Sequence, residues 1–163
     1  MRSKHYALLT ALLLSTTAAL AQPTNDGCFG AIPITCGQTV QGSTSAATTD
    51  ANAIECVATI TAPGVWYVIA GAGDAISLST CLNYGFDTKV NVYSGPCNAL
   101  VCVAGNDDGG DCEQGSTVVF VSTAGVNYLV LVQGYDNSIG DFDLSASCGP
   151  VTPDHCPGAL QIA

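Results

Sequence analysis

Beyond its first 21 residues, the chain alternates short runs of β-branched and apolar residues with clusters of Gly, Asn, Asp and Ser. Such runs are typical of β-strands, and the clusters between them are typical of turns. The clearest run is 141–146, in which Phe142 and Leu144 alternate with aspartates, as expected of a strand with one solvated face. The eight runs predicted as strands are 39–43, 65–70, 76–81, 88–93, 100–104, 117–122, 128–133 and 141–146.

The run 128–133 is apolar on both faces, because Leu129 and Leu131 lie between a tyrosine and valines. A strand of this kind is predicted at a central position in a sheet. Helical signals are almost absent from the same part of the chain. About eight strands with turns at this spacing predict an all-β fold, an antiparallel β-sandwich of jelly-roll type.

The N-terminal residues have the layout of a secretory signal peptide. Arg2 and Lys4 precede an apolar run, and small residues follow as far as Ala21. We expect residues 1–21 to be removed, because this run is too short for a permanent membrane anchor. Residues 22–148 are predicted to form one domain, and residues 149–153 form a linker with two prolines.

Residues 154–163 echo residues 26–35, with five of the ten positions identical. We interpret this match as the start of a truncated second repeat of the domain. A chance match over ten residues is the alternative. In the repeat interpretation, Cys156 pairs within the second copy, which explains the odd total of nine cysteines.

The charge balance is strongly acidic, with 13 Asp and Glu against 3 Lys and Arg. Two of the three basic residues lie in the predicted signal, so Lys89 is the strongly basic residue of the mature chain. Such a surface excludes nucleic-acid binding, and a second long apolar run that could insert into a membrane is absent. The acidic surface is suited to binding Ca²⁺. The alternative is that the acidic charge only keeps the protein in solution.

The cysteines predict a disulfide framework, because they follow a secretory signal. Eight of them belong to the predicted domain: Cys28, Cys36, Cys56, Cys81, Cys97, Cys102, Cys112 and Cys148. Sequence alone does not define the connectivity. Proximity along the chain and then elimination favour the pairs Cys97–Cys102, Cys28–Cys36, Cys81–Cys112 and Cys56–Cys148.

Six short motifs are spread over the domain: Asn25-Asp26, Trp66-Tyr67, Phe86-Asp87-Thr88, Val92-Tyr93-Ser94-Gly95, Asn106-Asp107-Asp108 and Gly140-Asp141-Phe142-Asp143-Leu144. Their order and spacing resemble those of bacterial pre-peptidase C-terminal domains, in particular the cysteine-rich variety found in tandem on secreted and surface proteins. The resemblance implies a jelly-roll-like sandwich without a catalytic role, appended to secreted hydrolases or arranged in arrays. It also implies Ca²⁺ near the N-terminus in some relatives, and binding to collagen or polysaccharide in others. The many cysteines and few aromatic residues depart from the collagen-binding members.

The first candidate calcium site lies at the start of the domain. Asn25 and Asp26 resemble the Asn-Asp pair of the calcium-binding relatives. Asp50 and Asn52, in the loop after the first predicted strand, are candidates for further oxygen ligands. The alternative is that the Asn-Asp pair forms an Asx-turn that starts the fold.

The second candidate calcium site is a glycine-containing loop that carries Asn106, Asp107, Asp108 and Asp111. Its oxygen-bearing side chains are closely spaced, but Gly109 breaks the EF-hand template. The alternative is a solvated turn between two strands.

Catalysis has little support, because the mature chain has one histidine, His155, which lies beyond the predicted domain. Nucleophilic catalysis would need a base beside the nucleophile. We therefore predict a protein that is not an enzyme. Tyr84 and Tyr135, placed in turns, are candidates for stacking on sugars, whereas Trp66 is predicted in the core.

These features predict a secreted, non-catalytic module for structural spacing, adhesion or substrate targeting, stabilised by calcium. Its expected partner is an extracellular polymer or protein, or another copy through repeats. The alternative is a carbohydrate-binding module of a polysaccharide-degrading enzyme.

Overall fold

The computed structural model describes residues 21–50, 53–109 and 112–151. These ranges contain a 3-10 helix, Cys28–Gly30, and nine strands: β1 Ile32–Pro33, β2 Thr39–Ser43, β3 Gly64–Ala70, β4 Ala75–Ser79, β5 Thr88–Ser94, β6 Val101–Asn106, β7 Thr117–Val121, β8 Asn127–Gly134 and β9 Asp141–Gly149. All eight predicted strands are present, and β1 is an addition. Within the same ranges, no helix has the length and apolar character needed to cross a membrane.

The strands form two sheets, with the orders β1-β3-β8-β5-β6 and β2-β9-β4-β7. All neighbours are antiparallel except β1, which runs parallel to β3. From β2 to β9 the chain passes between the two sheets in the order of an eight-stranded jelly roll. The predicted fold class is therefore confirmed.

The main core lies between the two sheets. Alternate residues of each strand point into it, for example Val130 and Val132 from β8 and Phe142 and Leu144 from β9. These four side chains are at most 1% exposed. The period-two pattern of the sequence therefore corresponds to burial, as expected for strands with one face against a core.

A second, smaller core covers the outer face of the five-stranded sheet. Trp66, Tyr93 and Leu131 point outward from this sheet, yet each is at most 1% exposed. The segment around Cys28 and the long β2–β3 connection pack over them. This cover explains why β8 is apolar on both faces, and the central position predicted for β8 is confirmed.

Four disulfides join distant parts of the chain: Cys28–Cys97, Cys36–Cys148, Cys56–Cys102 and Cys81–Cys112. The predicted pair Cys81–Cys112 is confirmed. The predicted pairs Cys97–Cys102, Cys28–Cys36 and Cys56–Cys148 are wrong. Cys156 lies outside the described residues.

Strand register, rather than proximity along the chain, explains the observed pairs. Thr39 of β2 lies opposite Ser145 of β9, and continuing this antiparallel register brings Cys36 opposite Cys148. Cys56 bonds to Cys102 of β6, and therefore fastens the β2–β3 connection to the sheet that it covers.

Candidate metal centre

An acidic cluster forms where β5 begins and β6 ends. These strands are antiparallel neighbours with Val90 opposite Asn106, so the residue before β5 lies beside the residues after β6. The acidic cluster consists of Asp87, Asp107 and Asp108, and one carboxylate oxygen of each lies within 4.8 Å of the other two. Three carboxylates at this spacing offer the hard oxygen ligands that Ca²⁺ prefers.

Burial and mutual repulsion disfavour the ionised form of this cluster. Among the described residues, Asp87 Oδ1 and Asp107 Oδ1 are shielded from solvent and have no hydrogen-bond partner. Burial raises the pKa of Asp87, and the charges of Asp107 and Asp108 raise it further, against a lowering by Lys89. Burial also raises the pKa of Asp107, while Lys89 lowers it and Asp108 raises it. A divalent cation would supply the missing positive charge.

Buried hydroxyl groups form a hydrogen-bond network next to the acidic cluster. Ser116 is fully buried, and its Oγ lies 2.6 Å from the carbonyl oxygen of Asp107. Its backbone amide donates to Thr80 Oγ1, which lies 2.6 Å from Thr88 Oγ1. Because Thr88 directly follows Asp87, this network connects the two strand ends that carry the carboxylates.

The side chain of Asn106 contributes structure to the loop. Its Nδ2 donates to the carbonyl oxygen of Thr117 at 2.7 Å, and its Oδ1 accepts from the amide of Asp107 at 2.9 Å. Both ends of the amide are therefore engaged in holding β6 near β7 and in shaping the turn at Asp107. Asp111, the last predicted ligand of this loop, lies outside the described residues.

Lys89 is 1% exposed and lies beneath the β2–β3 connection. Its Nζ donates to the carbonyl oxygen and the hydroxyl of Thr59, each at 3.1 Å, and to Thr61 Oγ1 at 3.3 Å. The same Nζ lies 4.8 Å from the centre of the Tyr135 ring. Lys89 is therefore held by neutral oxygens and a ring face, and it neutralises the acidic cluster only in part.

The N-terminal candidate site is a cleft of about 330 Å³ lined by Asp26, Thr48 and Asp50, among others. Asp26 accepts from the amide and hydroxyl of Thr48, the latter at 2.7 Å. Asp50 Oδ2 accepts from Trp66 Nε1 at 2.8 Å. Asn25 is buried, and its Nδ2 donates to the carbonyl oxygen of Trp66 at 2.9 Å. These groups therefore tie the first segment and the β2–β3 connection to β3.

Two further residues bear on the N-terminal candidate site: the predicted ligand Asn52, and Tyr67, which Asn25 contacts. Asn52 lies outside the described residues, so the structure gives the positions of three of the four predicted ligands, Asn25, Asp26 and Asp50. Asn25 also contacts the hydroxyl of Tyr67, whose pKa burial raises to about 12 despite the lowering by that contact. Tyr67 therefore stays protonated at neutral pH.

The two tyrosines predicted to stack on sugars differ in their surroundings. Tyr84 is half-buried, and its hydroxyl donates to the carbonyl oxygen of Cys112 at 2.6 Å. Tyr135 is 49% exposed, and its amide donates to the carbonyl oxygen of Asp87 at 2.9 Å. Tyr135 is therefore the more accessible ring, and it lies beside the acidic cluster.

Asp87 is not among the ligands predicted from the sequence, although it belongs to one of the six motifs. A usable signal was present: Asp87 directly precedes one predicted strand, and Asp107 follows the next strand after two intervening residues. When two consecutive strands pair antiparallel, the start of the first meets the end of the second. The short connection between the two predicted strands made such pairing the default expectation.

The fold and the site together define a small, disulfide-linked β-sandwich module with an acidic cluster at one edge. No family model matches the chain, and no curated protein matches it. Among solved structures, the chain is similar to the pre-peptidase C-terminal domain of a collagenase from Bacillus anthracis. That match has 18% identity and a TM-score of 0.45, and it covers 72% of this chain and 94% of the other.

The chain is also similar to PliG of Aeromonas hydrophila, a periplasmic inhibitor of g-type lysozyme. This match has 14% identity and a TM-score of 0.45, over 73% of this chain and 96% of the other. The collagenase domain is of the kind that the six motifs resemble, whereas the tandem arrangement remains a prediction. Neither likeness transfers a ligand or an activity to this chain.

Proposed function

We propose that this chain is a secreted, non-catalytic β-sandwich module, used for structural spacing, adhesion or substrate targeting, whose acidic cluster binds Ca²⁺. The observation that supports calcium binding is the convergence of Asp87, Asp107 and Asp108 with two shielded, unpartnered carboxylate oxygens among the described residues. Burying carboxylates without partners costs free energy. Bound Ca²⁺ offsets this cost, and so stabilises the folded state.

Secretion is supported by the disulfides and by the predicted signal peptide. Four bridges within one small domain are typical of proteins that mature in an oxidising compartment. The N-terminal residues that carry the signal prediction lie outside the described part of the chain. Sequencing the N-terminus of the exported protein tests this proposal, and we expect it to begin at Gln22.

Thermal unfolding in Ca²⁺ and in EDTA tests the calcium proposal. A ligand at a hundred times its dissociation constant stabilises the folded state by about 2.7 kcal/mol. We expect a higher melting temperature in Ca²⁺ for the wild type and no such rise for Asp107→Asn. Asp26→Asn, which removes the same charge from the N-terminal cleft, is the matched control and should keep the rise.

Other outcomes of this experiment also decide between the sites. Loss of the rise in Asp26→Asn, with retention in Asp107→Asn, would assign calcium to the N-terminal cleft and contradict the proposal. Calcium binding would be excluded by two results together. The wild type would melt at the same temperature in Ca²⁺ and in EDTA, and titration calorimetry with Ca²⁺ would give no heat of binding.

Carbohydrate binding is the second candidate function, and the exposure of Tyr135 beside the acidic cluster favours it. Aromatic rings stack on sugar faces, and nearby carboxylates accept from sugar hydroxyls. Retention on insoluble polysaccharide in EDTA, lost in Tyr135→Ala but kept in Tyr84→Ala, would support this function. Passage of the wild type through every polysaccharide tested would exclude it for those polymers.

A further inference from the structure

The four edges of the two sheets differ in how they are protected from pairing with another strand. An exposed edge presents unpaired backbone groups, and proteins blunt such edges with proline, short strands, bulges or charges. β1 is two residues long and contains Pro33, and β2 has Gly42 in its interior. β6 has a register shift against β5 at Val92 and Tyr93. β7, with the sequence Thr-Val-Val-Phe-Val, has none of these features.

The backbone of β7 directs hydrogen-bonding groups away from the sheet. Thr80 donates its amide to Ser116 and Ser122 donates its amide to Asp74, so the even-numbered residues of this segment bond to the β4 side. Because backbone groups alternate along a strand, the amide and carbonyl groups of Val119 and Val121 point outward. Among the described residues, β7 pairs with β4 alone.

The side chains of β7 divide in the same way. Val118 and Phe120 are buried in the core, whereas Val119 and Val121 are 44% and 48% exposed on the outer face. A groove of about 500 Å³ runs between β7 and β6 and is lined almost wholly by valine, alanine and glycine, with one phenylalanine. The strand therefore offers both an open edge and an apolar face, a combination that favours strand addition.

The charge distribution around β7 favours an uncharged partner surface, such as the same edge of a second copy. Residues 90–106 and 114–135 contain no Asp, Glu, Lys or Arg, although the chain has a formal net charge of −10. An acidic or basic partner would find no charged group to pair with along β7. Two copies of this chain repel each other over their acidic surfaces, and they can approach where both surfaces are neutral.

We propose that β7 pairs antiparallel with β7 of a second copy, across a two-fold axis at Phe120. In this register Val119 of each copy lies opposite Val121 of the other, and these residues exchange four backbone hydrogen bonds. The two four-stranded sheets become one sheet of eight strands, and the interface is isologous. The surface lies outside the acidic cluster, so the pairing uses no residue of the proposed calcium site and can be measured without calcium.

The expected dimer is weak and reversible. Specific stable interfaces bury about 1,200–2,000 Å² in total and involve about 20–30 residues on each side. The contact proposed here is made along one strand of five residues. Salt should strengthen the dimer, because it screens the repulsion between two acidic chains without weakening an uncharged contact.

Sedimentation velocity of the mature chain over a range of concentrations, in EDTA, tests the proposal. We expect a concentration-dependent dimer that Val119→Lys and Val119→Pro each weaken by at least about ten-fold, because edge lysines and prolines block strand pairing. Ile139→Lys is the matched control, because Ile139 lies outside β7 and is 48% exposed, against 44% for Val119; this variant should leave the dimer intact. Both lysine variants make the negative net charge smaller by one unit, so a change in overall repulsion cannot explain a difference between them.

Amide hydrogen exchange of the wild type provides a readout that does not require a variant. Protection at Val119 and Val121 should rise with protein concentration, and protection at β2 should not. A monomer at every concentration would overturn the proposal. A dimer that survives both Val119 variants, or one without added protection in β7, would also overturn it, because pairing would then use another surface.

Discussion

Removal of the Cys36–Cys148 bridge tests whether the long disulfides stabilise this fold through the loops that they close. The perturbation is the double variant Cys36→Ala with Cys148→Ala. The bridge spans a sequence separation of 112 residues, and the chain-entropy relation then gives a contribution of about 5 kcal/mol. Small domains have a free energy of unfolding of about 5–15 kcal/mol in total. This single bridge therefore accounts for a large part of the expected stability.

The matched control is Cys81→Ala with Cys112→Ala, which opens a bridge with a separation of 31 residues. The same relation gives about 4 kcal/mol for this bridge, so the loss should be about 1 kcal/mol smaller. Equilibrium unfolding in urea measures both losses. Trp66 is the only tryptophan and is fully buried, so its fluorescence reports on the transition.

Two results would refute this reasoning. The first is a loss below about 2 kcal/mol for the longer loop, or a larger loss for the shorter one, since either contradicts the dependence on loop length. The second is a peptide map under non-reducing conditions in which Cys36 is linked to Cys28. That local bridge would close a short loop and contribute only about 2–3 kcal/mol by the same relation.

Two further predictions concern the acidic cluster and the main core. The raised pKa of Asp87 means that the unfolded chain loses this proton at lower pH than the folded chain, so in EDTA stability should fall as the pH rises from the unfolded pKa through the folded one. Melting curves against pH should show this fall, and Asp87→Asn should reduce it; a wild type in EDTA whose stability rises over that window would contradict the assignment. Leu144→Ala, at a residue with no exposure, should cost about 2–5 kcal/mol in urea unfolding. Ile139→Ala at the surface should stay within about 0.5 kcal/mol, and equal losses would contradict the position of the core.

The strands could be predicted from the sequence because burial follows the period of two. In β9, Phe142 and Leu144 point between the sheets while the intervening aspartates do not. The double apolar character of β8 likewise predicted its central position. β1 could not be predicted from the sequence, because it has only two residues and one of them is proline. It is a strand because it pairs in parallel with β3.

The disulfides could not be predicted from proximity, since a jelly roll places sequence-distant strands side by side. Cys36 meets Cys148 because β2 and β9 are neighbours in the second sheet, and no local pattern encodes that neighbourhood. The acidic cluster could be predicted from the sequence only in part, for the same reason. The local density of carboxylates in the sequence predicts Asp107 and Asp108 as ligands, whereas Asp87 joins them through the pairing of β5 with β6.

The confirmed bridge and the acidic cluster belong to the same two segments. Cys81 lies in the connection that leads to Asp87, and Cys112 lies in the connection that follows Asp108. The hydroxyl of Tyr84 adds a hydrogen bond between these connections, to the carbonyl oxygen of Cys112. Repulsion among the three carboxylates would push apart the two connections that carry them. A covalent link keeps them within reach, and a cation that then binds meets a site whose ordering cost is already reduced.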